Sequence, residues 1–324
     1  MTTQAAQVPF SFNPPALLRK AWAFNPTLTF LFVAMVITSV LGFVGLAVDP
    51  RTVLNAPTWA KTTKFSISLV FYTATLLWML TFIQGRPRLV NFVGTSIGGI
   101  LIFEMFAIIL QGARAQAMHF NVATPFDATL WTLMTVTIFI LYGINLIGGG
   151  LLLFTRFADP VLALSLRLGF LIMVLGLTQG FLMTGPQGDQ MARLEAGEQV
   201  DLIGAHTVGA PDGGPGLPLL GWSTTHGDLR IGHFVGLHGL QAIPLLGFLL
   251  SRRREQWLKT SHRQALVAIG AAGYTGLVVL VTWQALRGQP LLSPDALTLG
   301  ALAGLVALTL AAWGGVVAVA RRAA

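Results

Sequence analysis

Apolar residues run along this chain in long blocks, and polar residues are confined to the gaps between them. Eight blocks are long enough to cross about 30 Å of hydrocarbon at about 1.5 Å per residue: Thr27–Val48, Phe65–Ile83, Val90–Gly112, Leu130–Phe154, Val161–Met183, Ile231–Leu250, Ala265–Leu286 and Ala296–Ala320. They predict an all-α, polytopic membrane protein forming one transmembrane domain over residues 1–324, because a backbone in lipid must satisfy its own N–H and C=O groups and a helix does so. Before the first block, Pro15–Phe24 reads as a short interfacial helix, with Leu17, Leu18 and Trp22 toward lipid and Arg19 and Lys20 toward headgroups. Asn25-Pro26, Asp159-Pro160 and Ser293-Pro294 each offer a capping side chain followed by proline at the first helical position. Asp127 and Asp228 are expected to cap the fourth and sixth helices. Three glycine pairs, Gly176/Gly180, Gly232/Gly236 and Gly300/Gly304, predict close helix approach.

Composition agrees with the pattern. The chain is 54% hydrophobic and 10% charged, with mean hydropathy +0.72, against about a quarter charged residues in soluble proteins. It has no cysteine, which excludes disulfides, thiolate-bound metal and a cysteine nucleophile, so any metal must be held by His, Asp or Glu. The net charge of +8 does not point to nucleic acid, because most cations lie in short loops on one side of the predicted membrane: Arg19 and Lys20, Arg86 and Arg88, Arg156 and Arg167, Arg252–Arg254 with Lys259 and Arg263, and Arg321 and Arg322. By the positive-inside rule that side, with both termini, is cytoplasmic in a bacterial inner membrane. Residues 184–230 then form an extracytoplasmic segment. It is long for a connection without structure of its own, and Leu217, Leu219, Leu220 and Trp222 predict an ordered cap.

Glu104 is the one acid inside the apolar blocks, and a carboxylate at membrane depth marks a functional site by default. It lies about eight residues, roughly 12 Å, from the outer end of its helix. His238 lies about as deep in the sixth helix, so the two are expected to meet. Gln111 falls on the Glu104 face. His233 and His238 are five apart, about 140° around a regular helix, which keeps them off one ion. His119, His206 and His226 emerge on the same side, with Lys61, Lys64, Arg114 and Arg230.

Imidazole and carboxylate suit zinc, copper or iron, and paired histidines suit haem iron. The expectation is therefore an outward-facing pocket for a metal ion or haem in a redox or metal-dependent reaction. His206, His233, His238 and Glu104 are candidate metal ligands, and His119, His238 and Arg114 candidate cofactor contacts. Glu104 would carry protons, and Arg230 would balance anionic charge. Lys61 is read as reaching out to lipid phosphate. A small-molecule or lipid substrate at the outer leaflet would be the partner besides the bilayer. No H-E-x-x-H or C-x-x-C-H spacing is present, and simple hydrogen bonding is the competing role for each histidine. A proton-coupled transporter using Glu104 and a membrane scaffold are the alternative functions. Tyr142 and Asn145 read as interhelical hydrogen-bonding groups, and Asp212-Gly-Gly-Pro as a turn.

The strings Trp59-Ala-Lys61-Thr-Thr-Lys64-Phe65, His119-Phe-Asn121 with Thr124-Pro125-Phe126-Asp127, Asp212-Gly-Gly-Pro-Gly-Leu-Pro218, Gly227-Asp228-Leu-Arg230 and His233-Phe-x-Gly-Leu-His238 resemble motifs of a family of uncharacterised bacterial multi-pass membrane proteins. That resemblance implies no activity. In layout alone the chain is similar to haem A synthase, whose paired histidine pattern it does not share, so no ligand is carried over.

Overall fold

The structure, a computed structural model, describes residues 13–253 and 255–323; Arg254 of the basic cluster lies outside them. In chain order the helices are α1 (Pro14–Phe24), α2 (Pro26–Val48), α3 (Thr58–Leu80), α4 (Pro87–Ala113), α5 (Pro125–Phe154), α6 (Pro160–Gln179), α7 (Asp189–Glu195), α8 (Leu229–Leu237), α9 (Gly239–Ser251), α10 (Thr260–Leu286) and α11 (Ala296–Arg322). Among the described residues eight helical segments are long and apolar enough to cross a membrane, with α8 and α9 together making the sixth. They mark a multi-pass membrane protein. An even number of crossings puts residues 49–57, 114–124, 184–228 and 287–295 at one end of the bundle.

Local chemistry sets several boundaries. Asn25 accepts from the Leu28 amide at 2.9 Å while its own amide donates to Asn91 and Thr95, so one buried side chain caps α2 and ties it to α4. Asp159 caps α6 through the Val161 and Leu162 amides, and Asp228 caps α8 through Arg230. Two expected caps are corrected. Asp295, not Ser293, caps α11, because it is Asp295 that reaches the Thr298 amide. Thr124 caps α5, and Asp127 sits inside its first turn. The sixth crossing breaks at His238, where the Tyr274 hydroxyl donates to the Val235 carbonyl at 2.7 Å.

The bundle has two groups of helices. Leu28, Leu31, Val93, Ile97, Met105 and Met134 belong to a core that joins α2 to α5. A second core, including Val161, Ile172, Ile243, Leu266 and Val278, joins α6, α9, α10 and α11. Between them runs a seam closed by Met79, Leu152, Leu166, Phe170, Met173 and Leu240. Glycine spacing matters where α6 meets α8: a Cβ on Gly176 would stand 2.5 Å from the Gly236 carbonyl carbon. The same spacing in α11 does not, since Gly300 and Gly304 meet nothing within 4 Å.

Residues 184–228 fold over the end of the bundle as a roof. α7 is its helix, and two short pairs of strands pin it: β1 (Thr52–Val53) with β2 (Ala56–Pro57), and β3 (Thr207–Val208) with β4 (Gly227–Asp228). The Asn55 side chain donates to the Gly213 carbonyl at 2.5 Å, and Val122 donates to Asp201.

Candidate functional site

Under the roof lie two cavities that share a wall. The deeper one, about 280 Å³, sits in the seam and is lined by α3, α4, α5, α6, α8 and α9. The other, about 560 Å³, lies between the roof and the end of α3. His119, Phe120 and His206 line both. A chain of rings runs through this wall and along the seam: His206 to His119 at 6.4 Å between centroids, His119 to Phe65 at 6.1 Å, Phe65 to Phe234 at 5.8 Å and Phe234 to His233 at 5.5 Å. Phe120 packs on His206 at 4.9 Å and on Trp131 at 5.1 Å. It does so from the left-handed backbone region, φ 65°, which costs a residue with a Cβ about 1–2 kcal/mol. Gly204 makes room for it, because a Cβ there would lie 2.7 Å from the Phe120 ring.

The histidines are individually oriented. Asp212 sits at 2.5 Å from His206 Nδ1 and also accepts from the backbone amides of His206 and Thr207. Burial and the nearby Arg230 and Lys61 charges outweigh Asp212, so the His206 pKa is held down to about 4. At pH 7 the ring is neutral. A carboxylate can only accept, so Nδ1 carries the proton and Nε2 keeps its lone pair. Burial, reinforced by Lys61, holds His119 well below the usual imidazole range. His233 Nδ1 lies 2.7 Å from the Gly176 carbonyl, again an acceptor only. His238, at the helix break, lies 3.3 Å from Gln241 Oε1. His226 contacts the neighbouring Thr225 hydroxyl and lines the roof cavity.

Glu104 and His238 line the same seam cavity, as their depths predict. They are not bonded to each other: Glu104 accepts from the Thr137 hydroxyl at 2.5 Å. Tyr72 donates to Asn145 at 2.8 Å across the seam floor. Arg114 is turned elsewhere, paired with Asp127 at 2.6 Å and stacked over Phe126 at 4.5 Å, and it lines neither cavity. Gln111 joins the same pair and does not line the seam cavity with Glu104. Arg230 lines the roof cavity with its charge already met by Asp228 through two hydrogen bonds, 2.9 and 2.5 Å. Lys61, expected to reach lipid, instead lines the roof cavity with Lys64. No group of three or more His, Asp or Glu side chains arranged to hold a metal ion occurs among the described residues.

Sequence reasoning missed the aromatic wall of Phe65, Phe120, Trp131 and Phe234, and the role of Asp212. A local turn explains Asp212 from sequence, and its bond to His206 appears only in three dimensions. The seam cavity also reaches the lipid face. Ile138 and Phe139 line it while being 41% and 53% exposed. Phe139 stacks on Phe181 at 5.1 Å, and this aromatic pair lines the cavity between α5 and the turn Gly180–Met183 after α6. Comparison with protein-family models, with curated proteins and with solved structures finds no match to this chain.

Proposed function

We propose that the protein admits an amphipathic ligand from the bilayer into the seam cavity and holds its polar end on imidazole nitrogens, with haem or another metal-bearing group as the ligand. The observation that carries this is His206: neutral, fixed by Asp212 through Nδ1 and left with an Nε2 lone pair. Neutral imidazole is the form that binds zinc, copper or iron, and a carboxylate on the far nitrogen is the usual support for such a ligand. A pKa of about 4 also makes His206 a poor proton store at pH 7 and a good lone-pair donor. His119 and His233 add two further imidazoles to the same cavity. A macrocycle would lie among Phe65, Trp131 and Phe234, beside Phe120 where it packs on His206, and His206 would hold its metal ion through Nε2. Glu104 is the acid available for proton transfer. The basic loops at the opposite end support placing the roof on the extracytoplasmic side of the cytoplasmic membrane.

A metal-free lipid or quinol-like substrate, hydrogen-bonded to the same lone pairs, is the second reading, favoured by the lipid-facing Phe139–Phe181 pair. The two separate in one preparation. Protein expressed with haem precursor and added iron, copper and zinc is expected to purify with a Soret band or with stoichiometric metal, and His206→Ala with much less. A colourless, metal-free product from the same culture would contradict the metal-bearing ligand. An apolar molecule extracted at one per chain from that product would favour the second reading.

A further inference from the structure

We infer that the roof cavity is a subsite for an anionic oxyacid group, a carboxylate or a phosphate, carried on the ligand's apolar body, and that Lys61 binds it. The assignment rests on the amphipathic ligand proposed above and specifies its head. Three cations line the cavity, Lys61, Lys64 and Arg230, and one carboxylate, Asp212. Arg230 is neutralised by Asp228, its bidentate partner. Lys64 donates to the Leu220 carbonyl at 2.6 Å, a neutral acceptor that leaves its charge unmatched. Lys61 makes no ion pair or hydrogen bond among the described residues; Asp212 is the carboxylate nearby, and the Phe65 ring centroid lies 5.9 Å from Nζ. Three basic side chains thus face two carboxylates, Asp212 and Asp228, and the second of these is committed to Arg230.

A half-buried cation without a partner is costly, and an incoming anion removes the cost. Lys61 and Lys64 are three residues apart on α3 and therefore share a face. Two ammonium groups side by side give the several donors that a carboxylate or phosphate accepts. Lysines anchoring the helix to lipid phosphate would open to the bilayer; these two line the cavity beneath the roof. The head also connects to the body, since His119, Phe120 and His206 line both cavities. An anion at Lys61 would place the rest of one molecule against the imidazoles.

The test compares charged and neutral forms of the same apolar body on full-length protein in detergent. Wild type, Lys61→Gln and Lys61→Arg are titrated with haem and haem dimethyl ester, followed by absorbance. They are also titrated with short-chain phosphatidic acid and the matching diacylglycerol, followed by thermal shift. The expected result is that wild type prefers the acid of at least one pair by about tenfold or more, that Lys61→Gln abolishes the preference and that Lys61→Arg keeps it. A preference within the haem pair identifies a carboxylate head, and one within the lipid pair a phosphate head. Phosphatidic acid preference without haem binding would overturn haem as the ligand and leave the subsite standing. Equal binding of acid and neutral forms in both pairs, or a preference that survives Lys61→Gln, would overturn the subsite while leaving the seam proposal intact. Binding of none of the four would overturn both.

Discussion

The two ends of the seam between the helix groups differ in kind. At the roof end the groups stand apart around cavities of about 280 and 560 Å³, with histidines, lysines and aromatic rings in their walls. At the other end Leu76, Met79, Ile83, Val93, Phe170 and Leu240 close to about 30 Å³, room for about two waters. Asn145 is the polar side chain shared by the two regions. The difference favours a blind pocket over a transit path. A transporter needs polar groups continuing across the membrane, and here the polar wall ends at the Tyr72–Asn145 bond.

The largest effect should come from Asp228, which is fully buried and holds both Arg230 and the Ser223 amide. Asp228→Asn leaves a largely buried guanidinium, 18% exposed, without its counter-charge, at a cost of roughly 3–5 kcal/mol. The loss should appear as rapid proteolysis of residues 184–228 with the bundle intact. A melting temperature and roof protection equal to wild type would contradict the role of Asp228, and loss of the bundle together with the roof would show that the two ends are not separately stabilised. The closed end should respond to lost volume. Leu240→Ala there should cost roughly 2–5 kcal/mol by opening a cavity in packed core. Leu237→Ala, on the wall of a space that already exists, should cost about 1 kcal/mol. Thermal denaturation in one detergent compares the pair, and the reverse order would break the distinction.

Acid should act on the roof alone. The folded pKa of His206 is lowered to about 4, and burial holds that of His119 well below the ordinary imidazole range. Between the ordinary imidazole value and about 4 the opened roof therefore binds more protons than the closed one, and closure is favoured as pH rises. Going from pH 7 to 4, His206 alone should remove about 3 kcal/mol of closure free energy. Asp212, held below the ordinary carboxylate range, adds its loss only at lower pH. Hydrogen exchange corrected for intrinsic rate should show residues 200–230 losing protection relative to α4. Parallel behaviour of the two regions would contradict the sign.

Eight crossings and most helix ends were legible in the chain, because apolar block length and residue-plus-proline caps are local signals. The depth match of Glu104 and His238 was legible for the same reason: helical rise converts sequence position to depth. What was not legible depends on which partner each polar side chain takes, near or far in sequence. Arg114 pairs with Asp127 across a turn, which withdraws it from the site. Asp228 meets the charge of Arg230, and Lys61 lines the cavity beneath the roof instead of reaching outward. Thr58 already begins α3, several residues before its apolar block, and this carries Lys61 and Lys64 onto a helix face.

The absence of cysteine makes the contrast between the two ends directly measurable. Single cysteines at Leu69 and Met134 on the open part of the seam, and at Leu76 and Ile83 on the closed part, can be challenged with small membrane-permeant and membrane-impermeant thiol reagents. The blind pocket predicts fast labelling of the first pair and protection of the second from either side of the membrane, with and without ligand. Labelling at Leu76→Cys or Ile83→Cys from the side opposite the roof would mean that the seam opens through, and the pocket would have to be read as a pathway.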